Sequence, residues 1–165
     1  MAESGRDIHK AIGILQQDGL VAIPTETVYG LAGNAFSEEA VVKIFEAKNR
    51  PSFDPLIVHV ASIEKAEELV LNVPSRAKEL AAKFWPGPLT LLLRKQVIIP
   101  DIVTSGLNTV AIRIPDHPIT LELLRDLESA FAWPMALPRR TCSVCRRRSL
   151  RKQPSGCVGS RSATR

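Results

Sequence analysis

Cysteine is absent from residues 1–136 of this 165-residue sequence, and the three cysteines of the chain all follow, as Cys142, Cys145 and Cys157. One Cys-x-x-Cys pair occurs among them, but no histidine follows it, so a complete four-ligand zinc site is not predicted. No apolar run approaches the roughly 18 residues that a membrane-spanning helix needs. Glycine-rich loops of the GxGxxG and GxxxxGK[ST] types are also absent, which excludes phosphate binding by those two devices.

Acidic residues are missing from residues 137–165, which hold nine of the 22 Lys and Arg of the chain. Residues 1–136 contain the other 13 basic residues and all 17 Asp and Glu, so their net charge is −4 although the whole chain carries +5. The positive total therefore describes the last segment and does not predict a nucleic-acid-binding body. We predict one domain over residues 1–136 and, because the rest has almost no apolar periodicity, a disordered basic tail over residues 137–165.

Helical and strand patterns alternate along residues 1–136. Apolar residues at helical spacing between Asp7 and Asp18 predict a first helix, with Gly19 as its C-terminal cap. Further helices are predicted from Ser37, Ser62, Ser75 and His117, and strands at residues 20–23, 56–60, 89–93 and 109–114. Because helices and strands mingle throughout, the sequence predicts an α/β fold with a twisted open mixed sheet and flanking helices.

Three loop–strand junctions are rich in polar side chains: PTETVYGL at residues 24–31, KNRPSFDPLIVHV at 48–60 and SGLNTVAIRIPDHP at 105–118. Ligands of open α/β sheets bind at strand ends. Lys48 and Arg50, on a loop stiffened by prolines, suit a polyphosphate, although cations at a helix C-terminus also complement the helix dipole. Arg113 lies between two isoleucines; it needs an anionic partner if it is buried, and on an edge strand it would face water.

These segments, together with PGPLT at residues 86–90, stand in an order that resembles the YrdC-like family of threonylcarbamoyl-AMP synthases over about residues 5–136. The resemblance implies that L-threonine, bicarbonate and ATP react to give threonylcarbamoyl-AMP and pyrophosphate, with Mg²⁺ accompanying the ATP. It also implies a partner transferase that modifies an adenosine of tRNA. Since the first residues lack the apolar core of a signal peptide, we expect a cytoplasmic protein with no membrane association.

The resemblance also assigns roles to individual residues. Threonine binding falls to Thr27, His59 and Arg113, with Arg113 gripping the substrate carboxylate in a bidentate fork. ATP binding falls to Lys48, Arg50, Asp54 and Thr109. Asp54 stands where the family usually has Asn, so its contact with a phosphate requires a bridging cation. No side chain is expected to act as a covalent or acid–base catalyst or to hold a resident metal, because positioning and charge neutralisation carry this reaction.

Residues 137–165 depart from the family pattern, which continues with PSAN and SPT segments. Reading the third base of each codon with the first two of the next, from Leu137 onward, allows the string PSANLFGVSPT. We therefore expect the tail to be an out-of-frame translation, and residues 1–136 to be an incomplete YrdC-like domain with little or no activity. A natural basic extension that binds RNA is the alternative.

Two other functions remain open at this point. The first is a non-catalytic module that binds double-stranded RNA or tRNA, which salt-dependent RNA binding in the absence of residues 137–165 would indicate. The second is a carbamoyl-transfer domain of the hydrogenase-maturation type, which shares the fold but usually belongs to a longer, multidomain chain.

Overall fold

The computed structural model describes residues 5, 7–26, 28–48, 54–131 and 135–137. The helices in these ranges are α1 (Ile8–Gln16), α2 (Glu38–Lys48), α3 (Ile63–Glu68), α4 (Ser75–Phe84), α5 (Asp101–Thr104) and α6 (Pro118–Phe131). The strands are β1 (Val21–Pro24), β2 (Tyr29–Asn34), β3 (Ile57–His59), β4 (Leu91–Arg94), β5 (Thr109–Arg113) and β6 (Met135–Leu137). Thr27, Arg50 and the predicted tail beyond Leu137 lie outside the described residues.

The described strands form one six-stranded sheet in the order β1-β2-β6-β3-β5-β4. β3 and β5 run parallel, while the other neighbouring strands pair antiparallel. The predicted α/β fold with an open mixed sheet and flanking helices is confirmed. β2, α5 and β6 are not among the predicted elements. β2 contains two glycines and ends on Asn34, residue types that are depleted in strands, and β6 is only three residues long.

Side-chain caps begin three of the helices where the sequence predicts them. The side chain of Asp7 accepts from the backbone N–H of Lys10 at 3.1 Å, and the hydroxyls of Ser37 and Ser62 each accept from the N–H three residues further on at 3.3 Å. Each cap satisfies an N–H that the first helical turn leaves without a partner.

The end of α1 differs from the predicted glycine cap. The left-handed residue is Asp18, with φ 53°, and not Gly19. Gly19 instead avoids a steric clash with the end of the helix. Its N–H donates to the carbonyl oxygen of Ile14 at 2.8 Å, and a Cβ at residue 19 would lie 2.8 Å from that same oxygen. Glycine therefore permits the chain to pass close to the helix end before β1.

Two groups of buried apolar residues pack against the sheet. The larger core cluster joins β3, β4 and β5 to α2 and includes Val58, Val110 and Ile112. The smaller core cluster joins α1, α6, β1 and β2, and includes Ile23 and Ala32. Side chains alternate between the two faces of a strand, so His59, Thr109 and Arg113 share the face opposite to that of the larger core cluster. Within the described ranges no helix combines the length and apolarity needed to cross a membrane.

Candidate active site

The sheet register brings two of the predicted threonine ligands together. His59 ends β3, Arg113 ends β5, and the two residues are partners in the parallel pairing of these strands. Partnered residues on neighbouring strands point to the same face of the sheet. The C-terminal ends of the two parallel strands therefore place an imidazole beside a guanidinium, at the type of strand end where open α/β sheets bind ligands.

Arg113 is held by two described partners. Its Nε donates to the carbonyl oxygen of Gly87 at 3.0 Å, and its Nη2 forms a short ion pair with Oε2 of Glu26. The side chains of Arg113 and Glu26 are only 16% and 21% exposed. The alternative of an edge-strand arginine facing water is wrong, because β5 lies between β3 and β4. The anionic partner that a buried arginine requires is Glu26, a residue to which the sequence analysis assigned no role.

Glu26 also ties down the segment that follows β5. Its Oε1 accepts from the backbone N–H of Asp116 at 2.6 Å. Partial burial alone would raise the pKa of Glu26, but hydrogen bonds from the backbone N–H groups of Asp116 and Glu26, together with Arg113, lower that pKa below its usual value. The carboxylate is therefore ionised at neutral pH, and its charge balances that of the neighbouring guanidinium.

The Pro-Gly-Pro turn between α4 and β4 docks against the end of β5. The N–H of Gly87 donates to the carbonyl oxygen of Ile114 at 2.9 Å, while the Gly87 carbonyl receives Nε of Arg113. A Cβ at residue 87 would lie 2.5 Å from the carbonyl oxygen of Phe84, so only glycine fits this turn. Trp85 packs against the larger core cluster and donates from Nε1 to the carbonyl of Leu89 at 2.7 Å, so it is a structural residue of the turn.

His59 contributes a neutral ring to the site. Its side chain is 3% exposed, and its Nδ1 lies 3.3 Å from the carbonyl oxygen of Ile57. A carbonyl can only accept a hydrogen bond, so this contact requires the hydrogen on Nδ1 and leaves Nε2 as an acceptor. Burial, reinforced by the positive charge of Arg113, lowers the pKa of His59 to about 3. Of the two partnered residues His59 and Arg113, only Arg113 therefore carries a positive charge.

Thr109 and Asp54, two of the ATP ligands predicted from the resemblance, lie away from Arg113. Thr109 begins β5, four residues before Arg113 and on the same face, which corresponds to about 13 Å along the strand. Asp54 precedes β3 at the same end of the sheet as Thr109, and Lys48 is the half-buried last residue of α2. The structure thus separates the predicted amino-acid ligands from Thr109 and Asp54 by roughly the length of β5. Thr27 and Arg50 are outside the described residues.

A cavity of about 560 Å³ opens near the Thr109 end of β5, lined by Asn108 together with a stretch of residues around the end of β4. Its charged side chains include Arg94 and the ion-paired Lys95 and Asp101. None of the predicted site residues lines it, and Arg113 lies at the other end of the strand. We therefore centre the candidate site on Arg113 and not on this cavity.

Comparison with known proteins identifies the family of this chain. The family model Sua5_yciO_yrdC, described as telomere recombination, matches residues 13–158. Threonylcarbamoyl-AMP synthases of Pyrococcus abyssi and Bacillus subtilis are each 51% identical to it, over 78% of this chain and 38% of the relative. The structure of P. abyssi Sua5 complexed with L-threonine is 48% identical and superposes with a TM-score of 0.76, over 83% of this chain and 39% of that one. The chain spans less than two-fifths of the length of these relatives, and it belongs to the Sua5/YciO/YrdC family.

Proposed function

We propose that this chain carries the substrate-binding face of a threonylcarbamoyl-AMP synthase, which converts L-threonine, bicarbonate and ATP to threonylcarbamoyl-AMP and pyrophosphate. The observation that carries the proposal is the oriented guanidinium of Arg113 beside the neutral ring of His59, at the ends of two parallel strands. The relatives named for this activity and the Sua5 complex with L-threonine support it.

Threonine is recognised at the Arg113 end of the face. Arg113 is the charged member of its pair with His59, and it binds the substrate carboxylate, because guanidinium donors match the geometry of carboxylate oxygens. His59 offers Nε2 as an acceptor to the hydroxyl or the amine of threonine. Thr27 completes this set in the proposal.

ATP is bound by Lys48, Arg50, Asp54 and Thr109 in the proposal, with its phosphates toward the other end of β5. Among the described residues no three His, Cys, Asp or Glu side chains come together as a metal site. Mg²⁺ would therefore be held mainly by phosphate oxygens and water, with Asp54 as the candidate protein carboxylate, and it would neutralise charge on the departing pyrophosphate. A Mg²⁺ ion between Asp54 and the phosphates would also explain how this carboxylate can lie close to groups of the same charge.

The protein positions the reactants and does not take part covalently. The amine of threonine and bicarbonate form a carbamate with loss of water. A carbamate oxygen then attacks the α-phosphorus of ATP, and the bond to pyrophosphate breaks. Arg113, by fixing the carboxylate, limits where the carbamate oxygen can lie, and bringing two reactants into register in this way lowers the barrier. The product is a substrate for a separate cytoplasmic tRNA-modifying transferase.

The alternative, a module that binds double-stranded RNA or tRNA, rests on the basic tail, because residues 1–136 carry a net charge of −4. Electrostatic attraction to phosphates is weak for a body of that charge. Salt-dependent RNA binding by residues 1–136 alone would favour this alternative over the synthase.

Calorimetric titration of the purified chain with L-threonine, followed by an assay of pyrophosphate release, tests the proposal. We expect threonine binding that Arg113→Lys weakens about tenfold or more, since a lysine ammonium cannot reproduce the planar, oriented donors of a guanidinium. Arg76→Lys, an exposed substitution on α4, is the matched control and should bind like the wild type. We expect little pyrophosphate release, because we propose that residues 1–136 are an incomplete domain. Absence of threonine binding would contradict the function, and release at the rate of a longer relative would contradict the incompleteness.

A further inference from the structure

Glu26 connects two segments of the candidate site, and both of its oxygens are engaged. Oε2 accepts from Nη2 of Arg113, and Oε1 accepts from the backbone N–H of Asp116 at 2.6 Å. The side chain is 21% exposed, so these two partners compete with only part of the water that a free carboxylate binds. A carboxylate bound through both oxygens is fixed in position and in the orientation of its plane.

The contacts of Arg113 leave one side of its guanidinium directed away from the protein partners. Nε donates to Gly87 and Nη2 to Glu26, while no hydrogen bond joins Nη1 to a described residue. The five N–H groups of a guanidinium lie in one rigid plane, so fixing Nε and Nη2 also fixes the direction of Nη1. Gly87 and Glu26, bound on one edge of the guanidinium, therefore determine the direction in which Nη1 points.

We propose that Glu26 is a positioning residue, which holds the guanidinium of Arg113 so that Nη1 is presented to the carboxylate of the amino-acid substrate. The inference deepens the proposed function and rests on it. Glu26 acts through Arg113 and does not touch the substrate.

The geometry favours a fixed Glu26 over one that the substrate carboxylate displaces. If threonine took the place of Glu26 on Arg113, the Asp116 N–H and a partly buried carboxylate would be left with weaker or missing partners. Leaving such groups unsatisfied costs more than a new hydrogen bond returns. Glu26 therefore stays on Nη2 when substrate binds Nη1.

Three substitutions of Glu26 in the full chain separate positioning from competition. Glu26→Ala removes both contacts, Glu26→Gln keeps the shape but loses the charge, and Glu26→Asp is one methylene too short to reach both donors. Loss of a charge-assisted hydrogen bond corresponds to about 10- to 100-fold in an equilibrium constant. We expect Glu26→Ala and Glu26→Asp to weaken L-threonine binding by about this factor, with Glu26→Gln intermediate and ATP binding changed less than threefold.

Glu79→Gln, an exposed carboxylate on α4, is the matched control and should bind threonine like the wild type. Tighter threonine binding by Glu26→Ala would overturn the proposal in favour of a competing carboxylate. Unchanged binding would also overturn it, as would an equal loss of threonine and ATP binding, which indicates general disruption of the fold.

The NMR signal of the Arg113 side-chain Nη2–H groups gives a readout that does not depend on substrate, because Nη2 donates to Glu26 whereas Nε donates to Gly87. In the wild type we expect a resolved signal whose hydrogen exchanges slowly with water. In Glu26→Ala the exchange should be faster and the signal broader, whereas Glu26→Gln should largely keep the wild-type signal. If the wild type bound no threonine, the proposed function would fail, and this signal would still decide the role of Glu26: its loss in Glu26→Ala supports the positioning contact, and an unchanged signal overturns it.

Discussion

Gly87→Ala tests whether the Pro-Gly-Pro turn positions Arg113. A Cβ at residue 87 would lie 2.5 Å from the carbonyl oxygen of Phe84, whereas ordinary van der Waals contacts begin near 3.4 Å. The obstacle is a backbone atom at the end of α4, so no side-chain rotation relieves it. The turn must therefore move by most of an ångström, and it carries the acceptor for Arg113 Nε with it.

The expected loss of stability follows from the clash and from the two hydrogen bonds of Gly87. Forced shifts in a packed region cost about 1–3 kcal/mol. The bonds to Ile114 and from Arg113, at 2.9 and 3.0 Å, are each worth about 1 kcal/mol when well formed. Since both weaken together, we expect the free energy of unfolding to fall by about 2–4 kcal/mol. In a chain of this size the midpoint of thermal unfolding then falls by about 5–12 °C.

Gly13→Ala provides a control of opposite sign. Gly13 lies inside α1, and a Cβ there would meet nothing within 4 Å. Alanine in a helix interior is favoured over glycine by about 0.5–1 kcal/mol, so this variant should be stabilised. Urea unfolding followed by circular dichroism measures both variants. A Gly87→Ala variant within 0.5 kcal/mol of the wild type would refute the steric argument, and one that is destabilised but binds threonine normally would refute the link to Arg113.

Two further predictions concern pH and the reading frame. The pKa of His59 is about 3 in the folded chain against about 6.5 when exposed, so the unfolded chain takes up the proton first and stability is lost as pH falls below about 6.5. Between pH 7.5 and 5.0 we expect the free energy of unfolding to fall by about 2 kcal/mol in the wild type and not in His59→Asn. The lowered pKa of Glu26 affects stability only below about pH 4.5. An unchanged wild-type stability would contradict a neutral buried imidazole. The DNA sequence across codons 136–140 should reveal one missing base, and restoring it should raise pyrophosphate release at least tenfold; an unambiguous in-frame reading with no recoverable PSAN segment would refute the frameshift.

Local chemistry determined the elements that the sequence predicts well. Ser37 and Ser62 cap helices because their hydroxyls accept from N–H groups three residues away, and α4 begins at the predicted Ser75. β2 was not predicted because its glycines and asparagine weaken the strand pattern. Its pairing with β1 and β6 stabilises the extended conformation that the local sequence does not favour.

Part of the candidate site follows from long-range register, which no local pattern encodes. The two strands that contain His59 and Arg113 were predicted, but the ion-paired partner of Arg113 stands 87 residues earlier in the chain. One signal pointed to it: a buried arginine needs an anion, and Glu26 is the only acidic residue of the PTETVYGL segment. The contact with Gly87 could not be anticipated in this way, because any backbone carbonyl satisfies an Nε–H.

The division of the buried residues into two clusters has a consequence for local unfolding. Glu26 lies in the loop between β1 and β2, which pack in the smaller core cluster with α1 and α6, whereas Arg113 ends a strand of the larger one. Separately packed units open with separate free energies, and the smaller is expected to open first. Each such opening breaks the ion pair between Glu26 and Arg113, while the strands of the larger core cluster remain folded. A ligand held by Arg113 therefore slows amide hydrogen exchange along β1 and β2 as well as at its own binding site.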